Sequence, residues 1–370
     1  MKYYIIAGEA SGDLHGAGLM EALLQCDSAA QFRFWGGEKM AAAGSVLPVR
    51  DYREGAVMGV TEVLRKAGTV LRNLSFCKAD LAAWKPDAVI LIDYPGFNMR
   101  VAKYASQHGF KVIWYIAPKV WATRERRVRR LRRWVDRLLV IFPFEQEYFR
   151  RRGIDALYVG NPLVDAVTRE RPAEEEFADK PYIALLPGSR IMEVEHTMPV
   201  FLELEKLMSA GPMSAYQLIV AAAPSIGDEV YDAYLAGSSI KVVRGRTYSV
   251  LEHSSAAVID SGTASLEAAL LSVPQVVIYA MNPLSFLAVR MMLKTKYVSL
   301  VNLIMDKPVV DELLQKECTA YNILSRLEQL ISDAGLRTAM LADYGRLEQM
   351  MGGPGASMRA AKEVVDSLKG

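Results

Sequence analysis

The chain has only three cysteines in 370 residues, Cys26, Cys77 and Cys318, far apart and without a CxxC pair. That spacing argues against a structural zinc site or a disulfide framework and fits a reducing compartment. Its four histidines, His15, His108, His196 and His253, show no ligand spacing, and no DxD triplet occurs, so a metal-bridged diphosphate is not favoured and no cofactor is expected. No apolar run approaches the roughly 18 residues of a membrane span. The opening MKYYIIAGEASGD reaches a glycine turn too early for a signal peptide. Neither sign of charge dominates, with a net charge of +2, which gives no reason to expect a nucleic-acid partner. The GxGxxG fingerprint of dinucleotide-binding folds is also missing. These absences leave a cytoplasmic globular protein that meets a membrane only at its surface.

What is present is a repeated alternation of short apolar runs, glycine turns and helical patterns, long enough for two domains. Tyr3–Ala7 reads as a strand and Gly8-Glu9-Ala10-Ser11-Gly12-Asp13 as its turn, before a helical pattern from Leu14 to Leu24. Gly8 and Gly12 would admit a close backbone or ligand. Glu9 and Asp13 would repel a pyrophosphate, so this turn, with Ser11, suits a polar, hydroxyl-bearing ligand and not a dinucleotide. Asp87–Ile92 is the clearest buried strand, and it delivers Asp93 to its carboxyl end, before Tyr94-Pro95-Gly96-Phe97-Asn98. Open parallel sheets bind ligands at such ends. Asp93 is therefore a candidate general base or a cap for the next helix.

Between them, Ala56–Leu74 interleaves apolar residues (Val57, Met58, Val60, Leu64, Leu71) with cations, as either a core-facing helix or a greasy basic patch. Seven arginines lie between Arg124 and Arg133, with only Val128 and Leu131 as an apolar stripe. Arg126, Arg129, Arg130 and Arg133 form either a solvated face or a site for phosphates or lipid headgroups. Gly160-Asn161-Pro162 is a natural hinge.

A second βα series follows a glutamate-rich linker. Tyr182–Leu186 is a strand and Pro187-Gly188-Ser189-Arg190 a turn, in which a guanidinium beside glycine suits a phosphate. Val258–Asp260, Ser261-Gly262-Thr263 and Ala264–Leu271 form a strand, a small-residue turn and a helix. The unpaired amides at Ser261, Gly262, Thr263 and Ala264 either bind an anion or are simply capped. Apolar Tyr297–Ile304 comes later. A final helix, Ser357–Leu368, follows the break at Gly352–Gly355. The expected fold is α/β, with two Rossmann-like domains whose parallel sheets face each other across a cleft. The boundaries are 1–165, completed by about 355–370, and 166–354.

Six motifs, GEASGD, AVMG (Ala56–Gly59), IDYPGFN (Ile92–Asn98), LLPGSR (Leu185–Arg190), SGTASLE (Ser261–Glu267) and KTKYVSLVNLI (Lys294–Ile304), resemble the lipid-A-disaccharide synthase family in type and order. The resemblance implies a GT-B glycosyltransferase that transfers 2,3-diacylglucosamine from its UDP conjugate to 2,3-diacylglucosamine 1-phosphate, giving a β-1,6 disaccharide and UDP. It implies Asp93 as base, Arg190 as phosphate ligand and Asn302 as a donor-site residue. Ser189 and Glu267 join the donor side, Glu267 on a ribose hydroxyl or as a surface charge. Gly8, Glu9, Ser11, Gly12, Asp13, Met58 and Asn98 fall on the acceptor side. Some members carry a second acid where this chain has Gly96, and that acid's role does not transfer.

The acyl chains of both substrates add weight to docking on an anionic membrane surface, and exchange of the final helix with a second copy would give a homodimer. Two rivals remain: a UDP-N-acetylglucosamine 2-epimerase, and a non-catalytic sugar-nucleotide-binding protein of the membrane surface.

Overall fold

The computed structural model describes residues 1–55, 62–122, 125–169, 177–281 and 295–369, with 54–55 and 62–67 as backbone only. The expectations for AVMG, Val57, Met58 and Val60, and for the Leu64 side chain, lie outside the described residues. The chain falls into two compact units, Met1–Asp165 with Gly353–Gly370, and Ala166–Gly352.

The first unit begins with β1 (Lys2–Ala7), α1 (Ala10–Cys26), β2 (Gln31–Gly36), α2 (Glu38–Gly44), β3 (Arg50–Asp51) and α3 (Glu62–Trp84). It continues through β4 (Ala88–Ile92), α4 (Pro95–Gln107), β5 (Lys111–Tyr115), α5 (Val128–Trp134), β6 (Arg137–Val140), α6 (Pro143–Arg150) and β7 (Ala156–Tyr158). All strand pairs are parallel, in the order β3-β2-β1-β4-β5-β6-β7. A strand covered by helices on both faces must be apolar throughout, which is why AVILI of β4 reads as a continuous run and is wholly buried. The chain winds outward from β1 to β3, then crosses back to place β4 on the other side of β1. The direction of winding therefore reverses between β1 and β4, with Ala7 in register with Ile92. Loops diverge at such a point and leave a crevice at the strands' carboxyl ends.

The bridging helix α7 (Pro162–Arg169) leads to the second unit. Its first part is β8 (Tyr182–Leu186), α8 (Ile191–Ser209), β9 (Gln217–Ala222), α9 (Asp228–Leu235), β10 (Lys241–Arg244) and α10 (Thr247–Glu252). Next come β11 (Ala256–Asp260), α11 (Ala264–Leu270), β12 (Gln275–Tyr279), α12 (Leu300–Met305), β13 (Asp311–Leu314), α13 (Ala320–Ser332) and α14 (Ala334–Met351). The parallel order is β10-β9-β8-β11-β12-β13, so the winding reverses between β8 and β11.

The last helix, α15 (Ala356–Lys369), belongs to the first unit, where it packs on α1 with Ala360, Ala361, Val364 and Val365 buried. Asp165 caps it, accepting from the amides of Gly355, Ala356 and Ser357 at 2.5, 3.2 and 3.0 Å. Arg359 on α15 donates Nε–H to the Val159 carbonyl at 2.8 Å, and its guanidinium fills the space a side chain at Gly160 would need. Among the described residues no helix is long and apolar enough to cross a membrane.

One local expectation changes. The helix after β1 starts at Ala10, so Gly12 and Asp13 are helical and buried rather than part of an open turn. Tyr297–Ile304 supplies the short helix α12.

Candidate active site

In the first unit the candidate site lies at the reversal point. β1 ends at Gly8-Glu9, with Glu9 exposed, and β4 ends at Asp93, half-buried. Asp93 and Tyr94 are both left-handed, at φ 41° and 46°, and Ile116 after the neighbouring β5 is at 63°. Non-glycine residues pay about 1–3 kcal/mol each for such backbone and cluster where the surroundings fix them. Here the Tyr94 ring lies over Gly8, where a Cβ would fall inside it, and stacks on Phe97 at 5.7 Å between centroids. From beneath, Asn98 Nδ2 donates to the carbonyls of Asp93 and Ile92 at 2.8 and 3.2 Å.

Burial, then the charge of Glu9, pushes the Asp93 carboxyl up to about 6, with Lys119 opposing. Above that value it is ionised, near the pH at which a carboxylate can serve as a general base. Lys119 also acts on Glu145, which is fully buried and pushed up to about 7 by that burial. Glu145 accepts from Trp121 Nε1 at 2.9 Å and from the amides of Ile141 and Phe142 at 3.2 and 3.1 Å, tying the loop after β5 to the start of α6.

The other acceptor-side candidates separate. Ser11 is exposed, its hydroxyl 3.4 Å from Glu9. Gly12 lies where a Cβ would come within 3.2 Å of Ala7, so it allows α1 to pack on β1. Asp13 is buried: its carboxylate accepts from the amides of Gly37, Lys39 and Met40 at 2.6, 3.1 and 3.1 Å and holds the start of α2. A side chain at Gly96 would meet nothing within 4 Å, so no packing reason demands glycine there.

In the second unit the reversal point brings the loop after β8 beside the end of β11. Gly188 is at φ 109°, and a Cβ on it would meet Glu193 Cβ at 2.5 Å and Asp260 Oδ2 at 3.0 Å. Glu193 accepts from the amides of Ser189 and Arg190 at 2.8 and 3.1 Å, and its other oxygen pairs with the Arg190 guanidinium at 2.6 Å. Arg190 is thus anchored at its base, yet its side chain remains 71% exposed. Asp260 is 5% exposed, and burial, followed by the Glu193 charge, pushes its carboxyl up to about 8. At neutral pH it is therefore mostly protonated and does not repel an anion.

Gly262 and Thr263 are exposed, Ser261 and Ala264 half-buried, and the Ser265 hydroxyl donates to the Gly262 carbonyl at 3.0 Å, closing the turn. Glu267 is half-buried, 3.3 Å from the Tyr248 hydroxyl. Asn302 is buried. Its amide donates to the Val310 carbonyl and Glu312 at 2.8 and 2.9 Å and accepts from the amides of Val309 and Val310 at 2.7 and 2.9 Å. Buried and fully engaged, it braces the loop instead of presenting its amide to a ligand.

Val128 and Leu131 are buried, while Arg126, Arg129, Arg130 and Arg133 are exposed. On α3, Leu74, Cys77 and Leu81 enter the core and Leu71 stays 62% exposed. Among the described residues no group of three or more His, Cys, Asp or Glu is placed to hold a metal ion.

Lys119, Glu145, Glu193 and Asp260 were not singled out from sequence. Only Glu193 had a local signal, a glutamate three residues after the helix-capping position.

Two Rossmann-like parallel sheets, each reversing beside a polar loop, define the GT-B class of glycosyltransferases and the sugar-nucleotide epimerases that share its architecture. Solved structures agree at the level of fold. A UDP-GlcNAc 2-epimerase from Neisseria meningitidis bound to UDP-GlcNAc superposes with TM-score 0.69 at 14% identity, covering 100% of both chains. The glycosyltransferase SnogD from Streptomyces nogalater gives 0.53 at 16% identity, covering 99% of each. The family model for lipid-A-disaccharide synthetase matches residues 3–350. Lipid-A-disaccharide synthases of Myxococcus xanthus and Geobacter metallireducens are 39% and 37% identical, each over 99% of this chain and 97% of the relative. The chain belongs to the lipid-A-disaccharide synthetase family and is a glycosyltransferase.

Proposed function

We propose that the chain transfers 2,3-diacylglucosamine from UDP to the 6-hydroxyl of 2,3-diacylglucosamine 1-phosphate, with inversion. The observation that carries this reading is the family match over residues 3–350. In the reaction, the acceptor oxygen forms a bond to the donor's anomeric carbon as the bond from that carbon to UDP breaks. Asp93 takes the hydroxyl proton, and the electron pair of the broken bond leaves with UDP. The first unit holds the acceptor, through Glu9, Ser11 and the backbone at Gly8. The second holds the donor: Arg190 and the turn amides of Ser261–Ala264 meet the diphosphate, and Glu267 a ribose hydroxyl. Ser189 acts through the loop that Glu193 fixes. One well-placed donor contributes on the order of 3 kcal/mol to such a transition state.

Because both substrates carry acyl chains, the chain works at an anionic membrane surface, with Arg126, Arg129, Arg130 and Arg133 toward the headgroups. The test is incubation with the two acylated substrates. UDP and a disaccharide 1-phosphate appearing together is the expected result. Conversion of lipid-free UDP-N-acetylglucosamine to its 2-epimer, or UDP binding with no turnover, would overturn it.

A further inference from the structure

Asn98 stands where three carbonyls at the strand ends converge. Its Nδ2 lies 2.8 Å from the carbonyl oxygen of Asp93, 3.2 Å from that of Ile92 and 3.5 Å from that of Ile6, so it spans the ends of both β4 and β1. The residue is completely buried, and its Oδ1 has no partner among the described residues. An amide that leaves its acceptor unpaired while its donor serves three carbonyls is placed for what its nitrogen gives. Unpaired buried carbonyls are costly, and these belong to the residues around the left-handed turn at Asp93 and Tyr94. The turn is therefore held from two sides, by Asn98 below and by the Tyr94 ring lying on Gly8 and stacked on Phe97.

We propose that Asn98 is a positioning residue for the transfer: by gathering the carbonyls of Ile92 and Asp93 it fixes the left-handed backbone that aims the Asp93 carboxylate, and it does not touch the acceptor. This differs from the role that sequence resemblance implied for it, and it rests on the reading of Asp93 as base. The geometry gives it a distinctive kinetic signature. A ligand to the acceptor, when removed, raises the acceptor's KM. A residue that only aims the base lowers kcat and leaves the binding of both substrates alone. Misplacement by about 1 Å is enough to cost on the order of a hundredfold in rate.

The experiment is steady-state kinetics of the full-length Asn98→Ala and Asn98→Ser variants with both acylated substrates, alongside Asp93→Asn, with UDP affinity by calorimetry and melting temperature measured for each. The expected result for Asn98→Ala is a kcat lower by ten- to hundredfold, with KM for both substrates and Kd for UDP within twofold of the parent. Asn98→Ser, which keeps one donor, should recover part of that loss. A rise in acceptor KM with kcat intact, or an unchanged kcat in a folded variant, overturns the proposal. So does a kcat loss that disappears on cooling below a lowered melting transition. If Asn98→Ala is silent while Asp93→Asn is inactive, the positioning role alone falls; if Asp93→Asn is itself fully active, the base assignment falls with it. Should Asn98→Ala fail to fold, the same readings are taken on Asn98→Ser.

Discussion

At the scale of single residues, each unit holds a carboxyl that desolvation pushes up, half-buried Asp93 in the first and buried Asp260 in the second. As the proposed base Asp93 must be ionised, and burial beside Glu9 leaves its carboxyl at about 6, so it is charged at neutral pH. The acid limb of kcat should therefore fall as pH drops through about 6, because protonated Asp93 cannot act as base. In Glu9→Gln the neighbouring negative charge is gone, the Asp93 carboxyl titrates lower, and the limb should move to lower pH. A limb that stays in place means that Glu9 does not set it. Asp93→Asn should lower kcat by about 10²- to 10⁴-fold, the range general base catalysis supplies, while UDP affinity holds. Near-parental turnover in that variant would remove Asp93 as the base. In the second unit, Arg190→Ala should weaken UDP binding by roughly ten- to a hundredfold, the worth of a charged hydrogen bond of about 1.5–3 kcal/mol, as read by calorimetry. Unchanged affinity would assign the diphosphate elsewhere.

At the scale of elements, what could be read from sequence depended on whether local pattern or distant packing set the outcome. The central strands were legible because burial on both faces forces runs such as Ala88–Ile92 and Ala256–Asp260. The edge strands β3 and β13 were not. Arg50–Asp51 is only 2 residues long, and Asp311–Leu314 opens with two acids, as edges that must avoid pairing do. Among the candidate site residues, the placement of Asp93 and Arg190 after strands β4 and β8 was legible. Asp260 was not, because Glu193, from a helix far earlier in the chain, helps keep its carboxyl protonated. The bonds that Asn302 and Asp13 accept from backbone amides of other segments were likewise not visible in their motifs. The arginine-rich α5 is an exposed face around two buried apolar residues. If it docks on headgroups, neutralising Arg126, Arg129, Arg130 and Arg133 together should cut co-sedimentation with anionic vesicles and leave UDP affinity alone. Unchanged co-sedimentation would return the run to an ordinary solvated surface.

At the scale of the whole molecule, the first unit is built from both ends of the chain. Asp165 carries much of that closure, since one carboxylate satisfies three amides at the start of α15. Asp165→Ala leaves those donors buried or half-buried without it, and should cost at least the ~1–2 kcal/mol of a strong helix cap, seen as a lower melting temperature of the first unit. A melting temperature within a degree of the parent would mean that apolar packing of α15 on α1 suffices. Exchange of α15 between two copies would keep the same cap and the same contacts with α1, so a homodimer formed that way would lose stability in the same variant.

The placement of α15 also orders events during synthesis. The ribosome emits Met1–Asp165 first, but the helix that covers α1 arrives only after the 166–352 stretch has been made. At translation speeds of about 5–20 residues per second, that is a wait of roughly ten to forty seconds. Through that interval the second unit is still being made while the first, although older, stays open along one helix. A nascent chain halted before residue 353 would thus expose an apolar stripe on its finished-looking amino-terminal half, a feature that chaperones and proteases can read as the mark of an incomplete product.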